Sequence, residues 1–180
     1  ENVFSNTDFK LDAGYQNVEE SRHNRNFGNY NLQNRVEKVA VYSLAANFET
    51  KLRNGNLYYG IENYYDDLKS TAEKTNIKTG IIIPLDTRYP NGENNMMRND
   101  IYLSYSSKRD EDTNFSMGAR AGYATLNSTI ADNSLMSLPF TEIKQQNFTY
   151  SGNIGLVHNT SENFIIKTNL SSGFRVPNID

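Results

Sequence analysis

The sequence predicts an all-β chain, an antiparallel up-and-down meander of about seven strands that forms part of the wall of a transmembrane β-barrel. Three observations carry this expectation. Apolar and polar residues alternate with a period of two in seven stretches, the connections alternate between short and long, and aromatic residues collect at both ends of the apolar face.

The first stretch places Phe9, Leu11, Ala13 and Tyr15 on one face and Lys10, Asp12, Gly14 and Gln16 on the other. The second carries Ala40, Tyr42, Leu44, Ala46 and Phe48, and the third Leu57, Tyr59, Ile61, Asn63 and Tyr65. Ile101, Leu103 and Tyr105 follow, then Phe115, Met117, Ala119, Ala121 and Tyr123. The last two stretches run through Phe148, Tyr150, Gly152, Ile154 and Leu156, and through Phe164, Ile166, Thr168, Leu170, Ser172 and Phe174. No charge falls on this face, whereas Lys10, Asp12, Glu49, Glu62, Arg120 and Lys167 lie on the other. One side of the sheet is therefore dry and one is wet.

Short hairpin turns are expected at Asn54–Gly55–Asn56, where Asn-Gly tolerates positive φ, at 110–114 and at 161–163. Long loops are expected at 20–35, 71–98 and 128–147. Such loops at every second connection are unusual for a compact domain and place the tight turns along one edge of the sheet. Aligning the strands by those turns brings Phe9, Phe48, Tyr59, Tyr105, Phe115 and Phe164 to the short-turn edge. Tyr15, Tyr42, Tyr65, Tyr123, Phe148, Tyr150 and Phe174 gather at the other, with aliphatic and small residues between. Two aromatic girdles around an apolar band are what a membrane barrel turns towards lipid, because amphipathic rings settle at headgroup level. The alternative is a soluble, secreted β-sandwich that binds carbohydrate or protein and buries Tyr42, Tyr59 and Tyr123 in a core.

Composition narrows the function. A net charge of −3 with scattered Lys and Arg leaves no electrostatic footprint for nucleic acid. The absence of cysteine excludes disulfides, thiol nucleophiles and Cys-ligated metals. The longest aliphatic run, Ile81–Ile83, stops at Pro84, so a transmembrane helix is excluded. No nucleophile elbow, Walker loop or zinc-protease motif occurs, and an enzyme is not expected. His23 and His158 stand apart, which argues against a metal site. Asp110–Glu111–Asp112 lacks the Gly and distal Glu of a calcium loop and reads as a hydrated turn.

The C-terminal run Gly173–Phe174–Arg175–Val176–Pro177–Asn178–Ile179–Asp180 resembles the G-F-R-A-P-N-I-D box in the barrel domain of TonB-dependent outer-membrane receptors, with Val176 where Ala is usual. The hairpin from Tyr150 to Ser172 is similar to the segment leading into that box. The resemblance implies a barrel of about 22 strands with an N-terminal plug domain. It implies import of an iron-siderophore, haem, cobalamin or glycan across the outer membrane of a Gram-negative bacterium, with energy relayed by TonB. Residues 1–180 would then be a partial barrel domain, with no plug domain and no TonB box, and with no cofactor of its own. Expected partners are outer-membrane lipid, a small-molecule nutrient, and the plug and TonB of the full-length protein. Cut from its wall, the isolated fragment is expected to self-associate. A smaller outer-membrane pore or anchor barrel would share every feature except the box.

Within the box, Gly173, Phe174, Arg175 and Pro177 read either as ligand-linked or as structural, with Gly173 and Pro177 ending the strand and Arg175 capping or pairing. Candidate contacts to an anionic ligand are Arg22, His23 and Arg25 in the first loop, Arg88, Tyr89 and Arg98 in the second, and lumen-facing Arg120. Solvated loop charge is the alternative for each.

Overall fold

The computed structural model describes residues 2–4, 6–135 and 137–176. Its strands are β1 (Asn2–Phe4), β2 (Thr7–Asn24), β3 (Asn31–Leu52), β4 (Gly55–Asn76), β5 (Ile82–Pro84), β6 (Asn94–Lys108), β7 (Thr113–Thr129), β8 (Glu142–Ser161) and β9 (Phe164–Ser172). All pairings are antiparallel, and the order β1-β2-β3-β4-β6-β7-β8-β9 follows the chain, making a meander of eight strands. The three-residue β5 folds back on Glu73–Thr75 of β4, beyond the point where β6 stops at Leu68.

The register reproduces the alternation read from the sequence. Leu11, Ala46, Ile61, Ile101, Ala121 and Tyr150 form one continuous cross-strand row on the dry face. The girdles exist as touching rings. Phe9, Phe48 and Tyr59 succeed one another at 4.9 and 5.1 Å near the short-turn edge, and Tyr15, Tyr42 and Tyr65 at 5.0 and 6.2 Å near the other. Tyr123 and Phe148 meet edge to face at 5.3 Å. Such pairs are each worth about 0.5–1.5 kcal/mol beyond their burial.

Nothing among the described residues covers this face. Phe148 is 84% exposed, Tyr150 79% and Leu170 73%, and among the described residues the buried apolar side chains are Ala124 and Leu126, both on the opposite side. A sandwich core would require a second layer, and none is present among the described residues.

Two sequence expectations are corrected. The strands are longer than the apolar stretches, so the loop expected at 20–35 contracts to residues 25–30, that at 71–98 to 77–93 and that at 128–147 to 130–141. Alternation marks only the part of a strand with one apolar face. Above it the residues are mostly polar on both faces, yet the ladder continues, as from Glu19–Lys38 to Asn24–Gln33. The β3–β4 turn is formed by Arg53 and Asn54, with Gly55 already paired to Leu52. Among described residues positive φ occurs only at Gly28 and Gly80, so Gly55 does not supply a left-handed turn. Its missing Cβ instead lets the backbone of Ser106 and Ser107 approach.

Candidate functional site

The wet, inner face carries a charged network across β4, β6 and β7. Glu62, Asp100 and Arg120 point to this face from neighbouring strands because Glu62 is in register with Asp100, and Asp100 with Gly122, two residues from Arg120. Arg120 Nη1 donates to Glu62 Oε2 at 2.8 Å and lies 3.4 Å from Asp100 Oδ2. Arg98 Nε lies 3.0 Å from the same Asp100 oxygen, so one carboxylate joins the two arginines.

Aromatic rings hold these cations in place. Arg98 lies over the Tyr64 ring at 4.7 Å and Arg120 over Tyr102 at 5.6 Å. The Tyr102 hydroxyl donates to Asn47 Oδ1 at 2.7 Å, extending the network to β3. Asp100 is only 3% exposed. Its contacts to Arg98 and Arg120 are at ion-pair distance, but neither carboxylate oxygen has a well-aligned hydrogen bond. Glycine makes the space: a Cβ at Gly122 would collide with Asp100 Oδ1 and Thr149 Oγ1, and one at Gly60 with the backbone of Ala46 and the Tyr102 ring.

A second cluster lies higher on the same face. Glu20 and Glu37 are direct cross-strand partners, a like-charge pairing that destabilises without a counter-ion. Arg22 supplies one, 3.0 Å from Glu20 and 3.6 Å from Glu37. Arg88 comes down from the β4–β6 connection to 4.0 Å from Glu20 and lies over the ring of Tyr89. The Tyr89 N–H donates to Ser70 Oγ at 3.5 Å, so this connection rests on the inner face and buries Glu37 and Ser70.

The two long connections are also tied to each other. Asn91 Oδ1 accepts from the backbone N–H of Ala131 and Asp132 at 2.9 and 3.1 Å, and its amide donates to the Asp132 carbonyl at 2.9 Å. Fully buried Asn94 donates to the carbonyls of Pro90 and Leu68 and accepts from Ser128 Oγ at 2.6 Å. Between the connections is a small cavity of about 230 Å³ whose lining includes Leu85, Tyr89, Pro90, Ile130 and Phe140.

The candidate contacts thus separate into groups. Arg98 and Arg120 come together through Asp100, and Arg22 and Arg88 through Glu20. Arg22 and His23 are strand residues of β2 and Arg98 is a strand residue of β6, correcting their expected place in loops. Alternation puts His23 on the outer face, where Nδ1 lies 2.9 Å from Asn34 Oδ1. Arg25 is in the first connection and donates to the Asn29 carbonyl at 2.7 Å, closing that turn. Gly173, Phe174 and Arg175 follow the end of β9 as exposed coil, while Pro177 and the rest of the box to Asp180 lie outside the described residues. Residues 20, 37, 91, 94 and 100 were not singled out by sequence. Their signal is register, since a carboxylate on a polar face becomes distinctive only when its cross-strand neighbours are known.

No protein-family model and no curated protein matches the sequence. Among solved structures the chain is similar to the copper transporter OprC, with a TM-score of 0.75 at 14% sequence identity, covering 98% of this chain. The fold is a segment of barrel wall. The wall described here spans 28% of that transporter chain, and at this identity the likeness concerns the fold.

Proposed function

We propose that this wall belongs to a TonB-dependent outer-membrane receptor of a Gram-negative bacterium, which captures a nutrient outside the cell and passes it inward. The observation that carries the reading is the uncovered apolar face bounded by two rows of touching rings, set against an inner face that holds the charged groups. Roughly 9–11 tilted residues cross a bilayer, so the 22-residue β3 and β4 stand well beyond it on the long-loop side. In bacterial barrels that side is extracellular.

The resemblance of Gly173–Asp180 to the receptor box supports the same class, as does the fold likeness to a transporter. The wall's contribution is a stretch of hydrogen-bonded ladder that leaves no backbone group bare in lipid once the complete barrel closes, together with a charged lining around the passage. Arg98, Arg120, Arg22 and Arg88 face that passage and are the wall residues proposed to contact ligand or plug. The copper named for the structural neighbour is not carried over, because no group of three or more His, Cys, Asp or Glu suited to a metal occurs among the described residues.

The test uses the full-length gene product. It is expected in the outer-membrane fraction, extractable only with detergent, and captured by the periplasmic domain of TonB. Recovery as a detergent-free soluble protein would overturn the membrane reading, and failure to bind TonB the receptor reading.

A further inference from the structure

Within the outer face, β4 and β6 carry a pair of amides between apolar neighbours. Asn63 on β4 and Asn99 on β6 are register partners, and Asn63 Nδ2 donates to Asn99 Oδ1 at 2.7 Å. They continue the row that holds Leu44, Tyr123 and Phe148. Each is one outward position from the girdle-level pair Tyr65 and Met97, so the amides lie about 7 Å along the strands from it, or about 5 Å in depth at a 45° tilt.

The pair stands in a groove of about 450 Å³ floored by Ile61 and Ile101 and walled by Leu44 on one side and Tyr123 and Phe148 on the other. Their mutual bond uses one N–H and one carbonyl. The Asn99 NH₂ and the Asn63 carbonyl have no other hydrogen-bond partner among the described residues. Just inside the headgroup level, unmet amide groups are costly unless a lipid supplies the missing partner.

We propose that this groove is a specific site for an acyl lipid of the membrane, with the chain lying over Ile61 and Ile101 and the chain-linking carbonyl accepting a hydrogen bond from the Asn99 amide. The inference rests on the reading of this face as membrane-embedded. Depth, the unmet donor and the adjoining apolar furrow select the carbonyl region of a lipid over water or a protein side chain.

The experiment places the full-length protein in nanodiscs containing a small fraction of either a diester phospholipid or its diether analogue, which has the same headgroup and chains but no carbonyl. The protein is then released into mild detergent, and retained lipid is counted by native mass spectrometry. Retention of the diester is expected to exceed that of the diether about fivefold, as for one net hydrogen bond. In the variant N63L/N99L the preference is expected to vanish while insertion is kept, since leucine suits this face. Equal retention of both lipids by the unaltered protein would overturn the site, and so would an undiminished preference in the variant. Failure of the unaltered protein to enter nanodiscs at all would instead overturn the membrane reading on which the site rests.

Discussion

Arg120 on β7 reaches over β6 to donate to Glu62 on β4 at 2.8 Å, and on the way lies 3.4 Å from the buried carboxylate of Asp100. Three strands that the ladder joins only pairwise are thereby joined by one side chain. Replacing Arg120 with Leu would leave Asp100 with Arg98 as its one cation and free Glu62. A destabilisation of about 2–4 kcal/mol is expected, measured as a lower urea midpoint for the full-length protein in detergent. E62Q should cost clearly less, because Asp100 keeps both arginines.

Gly122 and Gly173 should respond oppositely to substitution. A side chain at Gly122 meets Asp100 and Thr149, whereas no described residue lies within 4 Å of a Cβ at Gly173. G122V is expected to abolish recovery of folded barrel. G173A should leave stability within about 0.5 kcal/mol, so a fall in nutrient uptake by G173A at unchanged stability would assign the box a ligand-linked role.

The β6–β7 turn should be pH-sensitive only in strong acid. Asp110 is held below the ordinary carboxylate value of 3.8, chiefly by the Thr113 side-chain hydrogen bond, with further help from the Asp112 and Thr113 backbone N–H groups and nearby His158. A depressed pKa means that the stabilisation is present above 3.8 and is lost as pH falls through the lower folded value. The protection factor for amide exchange at Asp112, whose N–H donates to Asp110 Oδ1 at 3.0 Å, should hold from pH 7 to 4 and fall below that. T113A should move the fall to higher pH.

Asn91 holds two connections together through three hydrogen bonds. N91A should release residues 85–93 from 130–141 and raise their rate of limited proteolysis several-fold. The cleavage rate of the β-strand region should not change, because local opening does not require the ladder to open.

Residues 1–180 expressed alone should form large assemblies in plain buffer. Phe148, Tyr150 and Leu170 are more than 70% exposed, and among the described residues β9 pairs only with β8, leaving its other edge bare. Sedimentation as a stable monomer without detergent would contradict the reading of the apolar face.

How far the molecule could be read in advance depended on which interactions are local. Alternation at positions such as Leu57, Tyr59 and Ile61 gave the face of each strand, because side chains on neighbouring residues of a strand must point oppositely. It could not show where β2 ends and β3 begins, since above the apolar band residues such as Glu19, Arg22 and Lys38 carry no pattern although they are paired. The expected turn at Asn54–Gly55–Asn56 was displaced for a related reason. The glycine there serves a close approach from β6, a strand nearly forty residues later.

The sequence by itself determined the class of the sheet, its up-and-down order, its two faces and its two girdles, all consequences of a two-residue repeat and of where the turns fall. Only the tertiary structure decided that Arg98 and Arg120 share Asp100, that Arg88 descends to Glu20, and that Asn63 meets Asn99 in the middle of an apolar row. These depend on the register between strands and on the path of a loop across a face. Both are settled by the summed fit of many side chains, which no single stretch of the chain contains.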